Sequence, residues 1–280
     1  MAMDAGWTDK YPDPRVLRAE VEAMVESVAE ALRARIAPGD LAGLYLKGSA
    51  GKQWASPVDY VPETSDVDIH VLFANGAAAD RWPPDIEAAL AIQADIGAGY
   101  QRRMPRPVHT PRPQLLILNH LLADPDYSPS PQRTVRTVFG PSYPEARYDQ
   151  LREREIAARR LLEDAAILER LPRVVMDKPG RYTWLALREL TWRVSPAGPR
   201  ALVLLGVPPA EAWSLSRSGL IPVLEIAGQA ELAADYGRVY LASWDYFLSG
   251  YSDAAPAREA VAAAHAVLAR GAALAAGEGR

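Results

Sequence analysis

The sequence predicts an α+β protein, and three observations carry that prediction. Ser65 to Phe73 alternates strictly, with Val67, Ile69, Val71 and Phe73 on one side and Asp66, Asp68 and His70 on the other, which is the period of a half-buried strand. Leu41 to Lys47 is a second, shorter strand-like run in the same half. From about Glu145 onward apolar residues recur at helical spacing, and Gly140-Pro141 with Pro144 marks the change of character. A mixed half followed by a helical half makes α+β the natural class: a small mixed sheet with flanking helices, then an all-helical C-terminal domain.

The elements follow in order. Asp13-Pro14 is an N-cap with a first-turn proline, and Val21, Met24, Val25, Val28, Leu32 and Ile36 then repeat at helical spacing until Pro38-Gly39. The Leu41 to Lys47 strand ends at Gly48-Ser49, where the chain must turn. Gly51 to Thr64 carries Pro57 and Pro62 and is expected to be a loop leading into the Asp66 strand. A helix is expected to start near Pro84 and to use Ile86, Leu90 and Ile92, and the apolar run Leu115 to Leu118 predicts a buried strand. A proline-rich loop and a short strand at Thr134 to Phe139 complete this half. Helical segments are then expected at 148–171, 182–194, 200–205, 210–216, 220–228, 231–248 and 257–275.

Composition narrows the function. With 280 residues the chain has room for two ordinary domains. A net charge of −4 and 24% charged residues describe an ordinary soluble surface, so no nucleic-acid partner is expected. The sequence has no cysteine, which excludes disulfides, thiolate metal ligands and cysteine nucleophiles and suits a cytoplasmic protein. Residues 1–10 show neither a basic nor an apolar targeting segment, and no apolar run approaches the roughly 20 residues of a membrane helix. No membrane partner is expected.

The chemistry concentrates on the polar side of the Asp66 strand. Carboxylates at i and i+2 of a strand stand about 7 Å apart at Cα, near enough to converge on divalent cations. Strands ordinarily disfavour aspartate, so two on one face need a reason. His70 shares that face but lies further along, where a hydrogen-bonded structural histidine is expected. Lys47 and Lys52 flank the Gly48-Ser49 turn. Gly51-Lys52 is no Walker loop, because the glycine five positions earlier and the following Ser or Thr are missing.

An apolar strand ending in Gly48-Ser49, followed by the Ser65-Asp66-Val67-Asp68 strand, resembles the signature of the DNA polymerase β-like nucleotidyltransferase superfamily, in particular its aminoglycoside adenylyltransferase-like branch. The resemblance implies a nucleotidyltransferase domain over 1–144 and a helical domain over 145–280 that closes the cleft. It implies that Gly48 and Ser49 hold the triphosphate of an NTP, foremost ATP, with Lys47 and Lys52 able to touch phosphates. It also implies that Asp66 and Asp68 bind Mg2+ and serve as the catalytic carboxylates. The physical need is that a triphosphate repels an anionic nucleophile, so cations must neutralise it. The implied activity is Mg2+-dependent transfer of a nucleoside monophosphate to a hydroxyl, on a small molecule or on a protein.

Two departures stand out. Sixteen residues separate Ser49 from Asp66, more than the family usually has, so an inserted loop at the mouth of the site is expected around Pro57 to Pro62. The family also carries a third carboxylate on a later strand, where this sequence offers Gln114. Three alternatives stay open: Asp59, Glu63, Asp124 or Asp126 substitutes from a loop, the metal site is weakened, or the domain is a degenerate binding module without catalysis. An antitoxin-like protein adenylyltransferase is a further reading.

Other features have bland readings. Arg102, Arg103, Arg106 and Arg112 form a basic cluster without interleaved aromatics and are expected to be a solvated rim. Trp184 and Trp192 lie at helical spacing and are expected in the core, with Arg188 and Arg193 beside them. Arg258 and His265 show the Arg-x6-His spacing of HEPN ribonucleases, a short motif with many chance matches.

Overall fold

A computed structural model describes residues 6–278, so the first five residues of the N-terminal stretch read above lie outside the described residues. The fold is α+β, with an N-terminal mixed four-stranded sheet and helices followed by a largely helical C-terminal region. Two compact units form. The sheet unit comprises Pro12–Gln53 and Ser65–Arg147. The helical unit comprises the stretch up to Tyr11, Trp54–Thr64 and the chain from Tyr148 on.

In the sheet unit, α1 (Pro14–Arg35) is capped by Asp13, whose carboxylate accepts the Arg15 amide, and β1 (Leu41–Lys47) follows. The single-turn α2 (Gly48–Gly51) comes next, then β2 (Asp66–Phe73), α3 (Gly76–Asp80) and α4 (Ile86–Arg103), which Asp85 caps. The edge strand β3 (Arg112–Ile117) runs directly into α5 (Leu118–Ala123), and β4 (Arg136–Phe139) ends the sheet. The strand order is β3-β2-β1-β4; β1 is antiparallel to β2 and β4, and β2 is parallel to β3. Leu44, Leu46, Val67, Ile69 and Val71 are buried on the apolar side, and α1 packs on the sheet and on α4. The run from Leu115 to Ile117 is half-buried rather than buried, because its strand lies at an edge, and Leu118 already belongs to α5.

In the helical unit, Pro57–Asp59 forms a 3-10 turn, and Val58, Tyr60 and Val61 are buried. The expected open loop is therefore a packed element. The Trp244 indole donates to the Pro57 carbonyl (2.8 Å), and α10 and α11 pack on the turn. The helices are α6 (Gln150–Ala165), α7 (Ile167–Met176), α8 (Thr183–Leu204), α9 (Pro209–Ala212), α10 (Arg217–Ile226), α11 (Ala230–Leu248) and α12 (Ala254–Glu278). The single helix expected over 148–171 breaks at Ala166, whose amide turns tightly onto Glu163 (3.2 Å).

The segments expected at 182–194 and 200–205 instead form one helix, α8, which carries Pro196 and Pro199. Pro199 has no amide to give the Ser195 carbonyl four residues earlier, and the Tyr236 hydroxyl donates to it instead (3.0 Å). The ring of Tyr236 fits because Gly198 beside it has no side chain; a Cβ there would stand 3.2 Å from the ring.

Two other expectations are corrected. Trp192 is 51% exposed, with the Arg193 guanidinium 3.9 Å from its ring centroid, while Trp184 packs at the margin of the core formed by Leu187, Tyr246 and Ala257. Helix α12 is long and apolar enough over Ala254–Gly277 to cross a membrane by length and composition. Alanine makes it so, and the same small residues let it pack closely: Ala257, Ala260, Ala263, Ala264, Val267 and Leu268 are buried, and α6, α8 and α11 lie against it.

Candidate active site

The candidate site grows from three adjacent strands of the sheet unit. Lys47 on β1 is the register partner of Asp68 on β2, and Asp68 is the partner of Gln114 on β3. One rung on, toward the start of β2, Asp66 pairs in register with Arg112. The period of two thus places Asp66, Asp68, Arg112, Gln114 and Lys47 on one side of the sheet. Both aspartates are half-buried, whereas the intervening Val67 is fully buried.

Gly48 follows Lys47 with φ +69°, the left-handed region that glycine enters freely. A Cβ on Gly48 would lie 1.8 Å from Asp68 Oδ2, so the carboxylate rests where any other residue's side chain would begin. Ser49 is the second residue of α2 and is half-buried. The end of this turn is held from α1. Arg18 donates through Nη1 to the Ala50 carbonyl (2.5 Å) and through Nη2 to the Lys52 carbonyl (2.7 Å). Arg18 escaped the sequence reading, since nothing local distinguishes it from other polar positions of an amphipathic helix.

Asp66 meets a cation. Arg112 donates through Nε to Asp66 Oδ1 (2.8 Å), and its Nη2 lies in ion-pair contact with the same oxygen (2.6 Å). The arginine cluster is thereby dispersed among different partners. Arg102 and Arg103, at the end of α4, pair with Glu30 and Glu26 of α1, while Arg106 is exposed.

His70, two residues past Asp68, is fully buried and accepts from or donates to the Tyr143 hydroxyl through Nδ1 (3.0 Å). Tyr143 also bonds the Tyr127 hydroxyl (2.8 Å) and stacks edge-on with Tyr45. Burial pushes the His70 pKa down to about 3, and the nearby Lys47 ammonium adds to the effect. His70 is therefore a neutral structural histidine, as its position along the strand suggested. Among the described residues, its Nε2 and the Tyr45 hydroxyl have no hydrogen-bond partner.

The loop acids considered as substitutes for Gln114 are placed as follows. Asp59 is buried, and its carboxylate takes the amides of Ala55 (2.9 Å), Ser56 (3.0 Å) and Ser218 (2.8 Å) and the Ser218 hydroxyl (2.8 Å). Four donors commit it to holding its own segment within the helical unit. Glu63 has a left-handed backbone, φ 63°. Asp124 and Asp126 leave β3 through α5, at the end of the strand opposite Gln114, and Asp124 accepts the Asp126 amide (2.9 Å). Among the described residues, no group of three or more His, Asp or Glu side chains stands together as a metal site.

Asp66, Asp68 and Gln114 thus share one side of the sheet in adjacent rows, and oxygen donors of this kind are the type that a hard cation such as Mg2+ takes. The guanidinium on Asp66 shows that this carboxylate already accepts a positive partner. Arg258 and His265 are both exposed on α12. Comparison with protein-family models, curated proteins and solved structures finds no match.

Proposed function

We propose that the chain is a Mg2+-dependent nucleotidyltransferase that moves a nucleoside monophosphate from an NTP, foremost ATP, to a hydroxyl acceptor. The observation that carries this reading is the fit of the Asp68 carboxylate against the Cα of Gly48, one rung from Asp66 on the same side of the sheet. A left-handed glycine turn leaves backbone open to a phosphate chain, and the paired carboxylates lie beside it. When bound at Asp66 and Asp68, the divalent cation supplies neutralisation of the triphosphate. Lys47 and Lys52 add positive charge at the turn, and Ser49 adds a hydroxyl donor. Arg18 ties down the Ala50 and Lys52 carbonyls at the end of the turn. In the reaction the acceptor oxygen bonds to the α-phosphorus, the bond to the β-phosphate bridge breaks, pyrophosphate leaves and the acceptor proton passes to solvent or a base.

A second reading is nucleotide binding without transfer. It is favoured by Gln114, which stands beside Asp68 in register and can neither carry charge nor take a proton.

The purified protein is expected to turn over an NTP with Mg2+ and an acceptor panel, and Asp66→Asn is expected to abolish the turnover. Equal activity of Asp66→Asn, or no turnover with any acceptor, overturns the transferase reading. Calorimetry then separates the two: nucleotide binding without pyrophosphate release supports the binding module.

A further inference from the structure

Arg112 is both an ion-pair partner of Asp66 and a residue with somewhere else to go. Its side chain is 47% exposed, whereas that of Asp66 is 10% exposed. Nε donates to Oδ1, and Nη2 lies in ion-pair contact with that same oxygen. A divalent cation that needs this carboxylate and a guanidinium that holds it compete for one site, because two cations in contact repel. The backbone of Arg112 is fixed meanwhile: Pro113 follows it, β3 pairs with β2, and His109 just before is buried against Glu20 of α1. Exchange therefore needs only a rotation of the exposed arginine side chain.

We propose that Arg112 is an exchangeable counter-ion, which neutralises Asp66 in the metal-free protein and moves to a phosphate of the nucleotide when a divalent cation takes Asp66. The inference rests on the proposed function and adds a substrate-binding residue to it. A guanidinium matches phosphate oxygens in bidentate fashion, so the displaced group recovers from the triphosphate what it gives up at the carboxylate. A metal ion arriving alone offers no such recovery. The site consequently binds a metal–nucleotide complex in preference to the free metal.

Calorimetric titration with Mn2+, with and without a non-hydrolysable ATP analogue, tests the exchange in the full chain. Arg112→Gln is expected to bind Mn2+ alone about tenfold more tightly and the Mn2+–analogue complex about tenfold more weakly, changes of opposite sign. Arg112→Lys, which keeps the charge and loses the fork, is expected to move both affinities in the same directions by less. It carries the test if Arg112→Gln does not fold. Asp66-dependent Mn2+ binding that neither Arg112 variant changes, or a fall in both affinities, overturns the exchange and leaves the proposed function standing. Mn2+ binding that Asp66→Asn does not weaken overturns both.

Discussion

The carboxylate of Asp68 occupies the space that a side chain at position 48 would need: a Cβ on Gly48 would stand 1.8 Å from Asp68 Oδ2. Gly48 opens α2 directly after β1, Asp68 stands on the neighbouring β2, and the two are joined through Lys47, the register partner of Asp68. Gly48→Ala must therefore displace Asp68 as well as strain a backbone at φ +69°. The expected result is a stability loss of about 1–3 kcal/mol together with loss of Mn2+ binding. Thermal unfolding and a Mn2+ titration on the same sample check both, and retained metal binding would show that Asp68 is not a ligand.

His70 predicts a pH dependence. Its folded pKa is about 3 against an ordinary 6.5, so between those values the unfolded chain holds a proton that the folded protein refuses. The sign follows: stability is complete above about pH 6.5 and falls as the pH drops toward 3, by up to about 1.4 kcal/mol per pH unit from this group. Urea unfolding of the wild type and His70→Gln across this range should show slopes that differ by one proton. Equal slopes would mean that the imidazole is charged when folded.

Arg18 ties α1 to the turn at Ala50 and Lys52, both through charged hydrogen bonds. Arg18→Ala is expected to cost about 1.5–3 kcal/mol and to weaken nucleotide binding, since the turn loses its restraint. Arg18→Lys, with one charge but no fork, should recover only part of each. Denaturant melts and nucleotide titration measure the two effects, and a change in stability with unaltered nucleotide affinity would separate the turn from the ligand.

Tyr236 completes α8. Tyr236→Phe keeps the ring against Gly198 but removes the hydroxyl that serves the Ser195 carbonyl. A loss of about 1–3 kcal/mol is expected from leaving this partly buried carbonyl unsatisfied. Combining it with Pro199→Ala, which returns an amide to that carbonyl, should give less than the sum of the single losses. Additive losses in chemical denaturation would rule out the shared carbonyl.

Local pattern alone was enough for much of this molecule. The alternation of Val67, Ile69 and Val71 with Asp66, Asp68 and His70, the Asp13-Pro14 helix start and the Gly48-Ser49 turn at the end of β1 are each written in a few neighbouring residues. Each depends on backbone geometry that a strand face, a cap or a tight turn imposes wherever it occurs. Gln114 was singled out only through the resemblance to a family with a third carboxylate on a later strand, and its register against Asp68 came from the fold.

Tertiary structure alone decided which distant groups meet. Arg112 on Asp66, Arg18 on the Ala50 carbonyl and Tyr236 on the Ser195 carbonyl are separated by 46, 32 and 41 residues, and no periodicity spans such gaps. The same holds for the prolines. Pro57 and Pro62 suggested a loop, and the helical segments expected at 182–194 and 200–205 left a gap where Pro196 and Pro199 stand, yet neighbours far along the chain pack on the first pair's segment and satisfy the carbonyl beneath the second. Local propensity is worth about 1–3 kcal/mol at such positions, and burial with a replacement hydrogen bond is enough to outweigh it.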